Sequence, residues 1–103
     1  MTENGIGAPD ILEADGKIHD AYRIQFIREH LQQMRLAITD GVQILGYCPW
    51  AAIDVVSTHQ GYRKRYGFIY VDREEFDLKE LKRFRKDSFY WYANVILENG
   101  QNL

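Results

Sequence analysis

The stretch DAYRIQFIREHLQQMRLAITDGVQILGY, residues 20–47, decides the fold class. Its first part carries apolar residues three and four positions apart, the pattern of a helix with one buried face: Ile24, Ile27, Leu31, Met34 and Ile38. Asp20 suits the N-cap and Gly41 the C-terminal stop, so this spacing predicts a helix over 20–39. The apolar run VQILGY, residues 42–47, follows directly and predicts a buried strand. A helix that leads into a buried strand indicates a parallel α/β fold.

The remaining segments fit the same fold class. Residues 5–17 are rich in glycine and carry a proline, which predicts a loop. Two further extended segments are predicted at 53–57 and 66–71. Apolar residues at near-helical spacing predict a second helix over 84–98, which the Asn99–Gly100 pair would end.

Composition limits the class of protein. A chain of 103 residues forms at most one domain, here 1–103, and 46% hydrophobic residues with a net charge of −2 indicate a soluble globular protein. No apolar stretch is long enough to span a membrane, so no membrane partner is expected. The basic run KRFRK, residues 82–86, lies between acidic residues in an acidic chain. We therefore interpret it as a solvated helix face and expect no nucleic-acid partner.

The single cysteine, Cys48, excludes an internal disulfide and a cysteine metal cluster. It is best interpreted as a small buried hydrophobic residue in a reducing compartment. No secretory leader precedes the first loop, so the cytoplasm is the expected location.

Three features could carry chemistry. Glu3 stands beside the Asn4–Gly5 turn, where an α/β barrel places catalytic groups, although an isolated glutamate there is usually solvated surface. Trp50 follows the predicted strand and could stack on a sugar ring, with core packing as the alternative. The segment STHQGYRKRYG, residues 57–67, offers hydroxyl, ammonium and phenol donors suited to a phosphate, but without context RKR is more often a solvated charged turn.

Taken together, these features follow a known pattern. It comprises the following motifs: TENG at 2–5, DAYRIQFIREHL and AITDGV in the helix segment, GYCPWAAID at 46–54, GYRKRYGFIYVD at 61–72 and RKDSFYWY at 85–92. Over essentially its whole length the chain resembles the C-terminal part of family 1 glycoside hydrolases, which are retaining β-glycosidases. The resemblance implies a fragment of a (β/α)8 TIM barrel, about its last two βα units.

The resemblance also implies roles for single residues. Glu3 matches the catalytic nucleophile and Trp50 the tryptophan that stacks under the sugar, and neither a cofactor nor a metal is implied. The acid/base glutamate of the family lies in an Asn-Glu-Pro motif, which these 103 residues do not contain. The other glutamates stand in settings that do not match: Glu13, Glu29, Glu74, Glu75, Glu80 and Glu98. Because a barrel usually needs roughly 250 residues, we expect a C-terminal fragment that is inactive alone.

A branch point within the family concerns the substrate. Members that hydrolyse plain glucosides usually carry a Glu-Trp pair where this chain has Ser57–Thr58. Members acting on 6-phosphorylated glycosides use a serine, a lysine and a tyrosine in the spacing S-x6-K-x-Y, matched by Ser57, Lys64 and Tyr66. The phospho-galactosidases tend to have tryptophan after the serine, so Thr58 favours a 6-phospho-β-glucosidase.

Several alternatives stay open: a plain β-glucosidase, a 6-phospho-β-galactosidase, or a non-catalytic module that self-associates through exposed barrel edges. For the fold, we expect the strand at 42–47 to be flanked by the two helices. The five candidate residues should then converge at one end of the sheet.

Overall fold

The computed structural model describes residues 2–103. Its regular elements are helix α1 (Ala21–Thr39), strand β1 (Ile69–Val71), strand β2 (Arg83–Arg85) and helix α2 (Asp87–Leu97). Loops and turns make up the rest. Within residues 2–103, neither helix combines the length and the apolar character that a bilayer crossing requires.

Helix α1 confirms the first prediction closely. It begins directly after Asp20, buries Ile27 and Leu31, and ends two residues before Gly41, whose φ of +96° is readily available only to glycine. Ile38, predicted on the buried face, is half exposed. The carboxylate of Asp20 does not cap the helix, because it accepts hydrogen bonds from the Arg23 guanidinium and the Ser88 amide in the buried network described below.

The hydrophobic core lies between the two helices and the turn before β1. Ile27, Leu31, Phe68 and Val95 form its buried centre. The rings of Phe68 and Tyr92 stack with centroids 5.0 Å apart. Full burial of a large apolar side chain contributes about 1.5–3 kcal/mol. The four buried side chains therefore stabilise the packing of α1 against α2.

The second helix begins later than predicted, because residues 83–85 form a strand. β2 pairs antiparallel with β1, with Tyr70 opposite Phe84. Phe84 is partly buried while its two arginine neighbours are exposed, the alternation of a strand with one covered face. This local alternation and the partner strand outweigh the helical spacing on which the prediction over 84–98 relied.

The predicted buried strand at 42–47 is wrong as a description of residues 2–103. No sheet contains this segment, Val42 is 53% exposed, and Leu45 is fully exposed. Cys48, predicted to be buried, is exposed as well. A buried parallel strand needs a partner strand on each side, and the described chain offers none to 42–47.

Of the predicted parallel sheet, the described residues show two isolated parallel bridges, Asn4 with Pro49 and Ile53 with Ile69. The segment 53–57 is therefore not a strand, and only the last part of 66–71 is one. Within residues 2–103, the two-stranded antiparallel sheet is the only sheet.

Candidate active site

The segment that contains Glu3 lies beside the segment that contains Trp50. The amide of Asn4 donates to the carbonyl of Cys48 at 3.1 Å, and the amide of Trp50 donates to the carbonyl of Asn4 at 2.7 Å. Gly5 permits this approach, because a Cβ atom there would lie 1.9 Å from the carbonyl oxygen of Trp50. The first residues of the chain are thus held against the end of the 42–50 segment.

Both side chains are accessible at this edge. Glu3 is exposed, and Trp50 keeps 48% of its surface accessible, so an indole face remains available for a ligand. The peptide bond between Trp50 and Ala51 is cis.

Tyr47 adds a side-chain contact that the sequence did not reveal. Its hydroxyl donates to Oδ1 of Asn4 at 2.7 Å, beside Glu3. Burial, with a smaller contribution from Tyr92, raises the pKa of Tyr47 to about 12. The phenol is therefore protonated at neutral pH and remains a donor to Asn4.

Ser57 stands at the start of a tight turn. Its amide donates to the carbonyl of Gly61 at 2.7 Å, and its Oγ accepts the amides of His59 and Gln60 at 3.2 and 3.3 Å. A hydroxyl has one proton to donate and two lone pairs. Because both lone pairs face amides, the hydroxyl proton of Ser57 is left to donate, and Ser57 itself is 8% exposed.

Lys64 and Tyr66 lie together. The ammonium of Lys64 is 5.5 Å from the centre of the Tyr66 ring, and no ion pair found within residues 2–103 involves Lys64. The ring of Tyr66 packs on Gly7, where a Cβ atom would lie 2.6 Å from the ring. Its carbonyl accepts the amide of Ala51 at 3.0 Å.

The backbone thus connects three of the predicted positions. Tyr66 is bonded to the residue that follows Trp50, and Trp50 is bonded to the residue that follows Glu3. Ser57 is separate, since within residues 2–103 its side chain forms no hydrogen bond with Lys64 or Tyr66. The Lys64–Tyr66 pair and Ser57 come from two sides of the same loop.

Behind these loops lies a buried ionic network, which the sequence analysis missed. Its members are three carboxylates and three cations: Asp10, Asp20, Asp54, Arg23, Arg65 and Lys86. The ammonium of Lys86 bridges Asp10 at 2.6 Å and Asp54 at 2.7 Å. Lys86 is fully buried and Arg65 is 6% exposed, so the predictions of a solvated KRFRK face and a solvated RKR turn are wrong at these two positions.

The network continues to the start of both helices. Arg23 pairs with Asp10 at 3.0 Å and with Asp20, and Asp20 also accepts the amide of Ser88 at 2.9 Å. Burial opposes the charge of Arg23, but Asp10 and its other neighbours outweigh this and raise its pKa. Burial and the hydrogen bond to Asp10 raise the pKa of Tyr22 as well. Every charge in the network is therefore paired.

Comparison with known proteins shows the family to which this chain belongs. Residues 1–101 match glycosyl hydrolase family 1, and the chain belongs to that family. It is 52% identical over 103 residues to the aryl-phospho-β-D-glucosidase BglC of Bacillus subtilis (strain 168), covering all of this chain and 21% of that protein. It is 52% identical over 104 residues to the phospho-cellobiase of Klebsiella oxytoca, covering 22% of that protein.

A solved structure shows the same local fold. The family 1 β-glucosidase from Thermotoga maritima superposes with a TM-score of 0.87 at 41% identity, over 97% of this chain and 21% of that one. The chain thus spans about a fifth of the length of its relatives. The recognition of a family 1 segment is confirmed.

Proposed function

We propose that this chain forms the part of a retaining 6-phospho-β-glucosidase that carries the nucleophile, the sugar-stacking tryptophan and the phosphate-binding side chains. The observation that carries the proposal is the placement of Lys64 over Tyr66, without a carboxylate partner, on backbone bonded to the Trp50 and Glu3 segments. Relatives with phospho-glycosidase names at about 50% identity support the substrate class.

The proposed mechanism is double displacement. Glu3 attacks the anomeric carbon as the bond to the leaving oxygen breaks, and a second carboxyl protonates that oxygen. This second group, about 5 to 5.5 Å from the nucleophile in retaining enzymes, would come from the rest of the barrel. It then takes a proton from water, which attacks the anomeric carbon and releases Glu3. The two inversions retain the anomeric configuration.

Trp50 and the phosphate-binding side chains would orient the sugar for this attack. The exposed indole of Trp50 offers an apolar face to the glucose ring. Ser57 and Tyr66 donate hydrogen bonds to the 6-phosphate, and Lys64 supplies the positive charge. A phosphate carries about −1.5 to −2 charge at pH 7, so an unpaired ammonium favours it over a free hydroxyl.

The test is the substitution Lys64→Met in a complete enzyme, in which residues 1–103 replace the matching fifth of BglC. Loss of one charge-assisted contact of about 1.5–3 kcal/mol predicts a roughly 10- to 150-fold lower kcat/KM for an aryl 6-phospho-β-glucoside. The unphosphorylated aryl glucoside should be affected less than about twofold. Equal losses on both substrates would mean that Lys64 does not bind the phosphate.

A plain β-glucosidase is the second candidate, because the Thermotoga maritima β-glucosidase shares the local fold. In that case the unsubstituted enzyme should hydrolyse the free glucoside at least as well as the phosphorylated one. A 6-phospho-β-galactosidase would instead prefer the galactose epimer. Both alternatives are decided by comparing the three substrates before any substitution.

A non-catalytic, self-associating module is favoured by a different observation, the exposed apolar segment at 42–47. Leu45 and Val42 present exposed apolar surface, which promotes association between chains. Size-exclusion chromatography of the isolated chain at several concentrations tests this candidate. A monomer at all concentrations would exclude it. For a 6-phospho-β-glucosidase the cytoplasm is the proposed location, because phosphorylated sugars are charged and cross membranes poorly.

A further inference from the structure

We propose that Arg65 and Asp54 are positioning residues for phosphate selectivity: their buried ion pair fixes Lys64 and Tyr66 on one side of the site relative to Ser57 on the other. The inference rests on the proposed function and adds to it two residues that would not touch the substrate. It explains how a short loop could hold three phosphate donors in one geometry.

The first step concerns the direction of the side chains. Arg65 pairs with Ala8 through two backbone hydrogen bonds of 3.0 Å, so the chain is extended at this point. Successive side chains of extended backbone point to opposite sides. Arg65 is buried, whereas Lys64 and Tyr66 are partly exposed and lie together. The burial of Arg65 therefore directs both neighbours towards the ligand side.

The second step concerns how firmly Arg65 is held. Its guanidinium donates to Oδ2 of Asp54 at 2.9 Å and to the carbonyls of Val71 and Arg73, each at 2.7 Å. The ring of Tyr70 lies 4.0 Å from its central carbon. A planar fork can satisfy several acceptors at once, which a lysine ammonium at the same place cannot reproduce.

The third step connects Arg65 to Ser57. Asp54 precedes Ser57 by three residues, and its Oδ1 accepts the amide of Gly67 at 3.0 Å. The hydroxyl of Tyr62 donates to the carbonyl of Asp54 at 2.9 Å and closes the loop that carries Ser57. Asp54 is thus hydrogen-bonded to Tyr62 before the Lys64–Tyr66 pair in sequence and to Gly67 after it. The ion pair therefore fixes the position of Ser57 relative to Lys64 and Tyr66.

The test compares Arg65→Lys with Arg28→Lys in the complete enzyme described above. Arg28 is a matched control, because it also lies on an aromatic ring, that of Trp91 at 5.3 Å, but in the helix interface. We expect Arg65→Lys to lower kcat/KM for the aryl 6-phospho-β-glucoside about tenfold, mainly through a higher KM, with less than about twofold effect on the free glucoside. Arg28→Lys should change kcat/KM for neither substrate.

A milder variant keeps the proposal testable if Arg65→Lys does not fold. Tyr62→Phe removes only the hydroxyl that closes the loop onto Asp54, and it should lower kcat/KM for the phosphorylated substrate about two- to fivefold, again selectively. Inhibition by glucose 6-phosphate gives a second readout, and its inhibition constant should rise in parallel while that of glucose stays constant.

A double substitution distinguishes this inference from the proposed function. If Arg65 acts through Lys64, the selective effect of Arg65→Lys should shrink in a Lys64→Met background. Equal losses on both substrates, or no loss, in the folded Arg65 variant would overturn the positioning role while leaving the effect of Lys64→Met intact. If Lys64→Met itself leaves substrate preference unchanged, the proposed function fails instead.

Discussion

The hydroxyl of Tyr47 donates a hydrogen bond of 2.7 Å to the side-chain carbonyl of Asn4, and this contact joins the two segments that carry Glu3 and Trp50. The residues are 43 positions apart in sequence. Two backbone hydrogen bonds run beside the contact, between Asn4 and residues 48 and 50. The proposed nucleophile and the proposed sugar platform are thus held on one local framework.

Tyr47→Phe removes this hydrogen bond without changing the packing of the ring. Asn4 then loses a partner, and Glu3 is held less firmly for attack. In the complete enzyme we expect kcat to fall about 2- to 13-fold with little change in KM, which corresponds to about 0.5–1.5 kcal/mol for one lost neutral hydrogen bond. Tyr90→Phe, an exposed tyrosine of α2, is the control. A change confined to KM would contradict the role assigned to Tyr47.

Ser57→Glu should reverse substrate preference. The substitution removes a donor and places a carboxylate near the phosphate, with a repulsion of about 4 kcal/mol per unit charge at 4 Å and an effective dielectric near 20. It also restores the acidic residue typical of plain β-glucosidases. We expect kcat/KM for the phosphorylated glucoside to fall more than in Lys64→Met. Ser57→Ala separates the lost donor from the added charge, and similar values for the two variants would argue against repulsion.

Lys86→Met should destabilise the protein strongly. It leaves Asp10 and Asp54 buried without the ammonium that bridges them, and breaking a buried pair from one side costs about 3–5 kcal/mol. Lys82→Met is the matched control in the same basic run, because the ion pair of Lys82, with Glu80, lies at the surface. Urea denaturation of the complete enzyme carrying each variant measures the difference. Equal stability of the two variants would contradict this prediction.

His19 predicts a pH-dependent contribution to stability. The hydrogen bond to Asp87 and then its charge raise the pKa of His19 above the 6.5 of the free side chain. A raised folded-state pKa stabilises the fold below the unfolded pKa, and this stabilisation disappears as pH rises through the folded value. His19→Gln should therefore lower the melting temperature more at about pH 5.5 than at about pH 8.5. An equal loss at both pH values would contradict this prediction.

The isolated chain should lack glycosidase activity. Residues 1–103 contain no Asn-Glu-Pro motif, and loss of one member of a catalytic set removes most of the rate enhancement. We expect no turnover of an aryl 6-phospho-β-glucoside by the purified chain, measured beside the complete enzyme at equal concentration. Turnover that survives further purification but disappears in Glu3→Gln would contradict this prediction.

The sequence by itself determined the helix over 20–39, its stop before Gly41 and the family. Helix periodicity and a glycine stop act within a few residues, so they can be recognised in one stretch of sequence. The family motifs are contiguous for the same reason. The candidate roles of Glu3, Trp50, Ser57, Lys64 and Tyr66 rest on those motifs and stay predictions.

Tertiary structure alone decided which charged residues are buried and which apolar ones are exposed. Lys86 stands in a basic run that indicates a solvated surface, yet it is buried because the carboxylate of Asp10, 76 positions away, accepts a hydrogen bond from its ammonium. Leu45 stands in an apolar run that indicates a core strand, yet it is exposed because no strand among residues 2–103 pairs with its segment. The free energy of burying a charge or a strand depends on distant partners, and local sequence does not specify them.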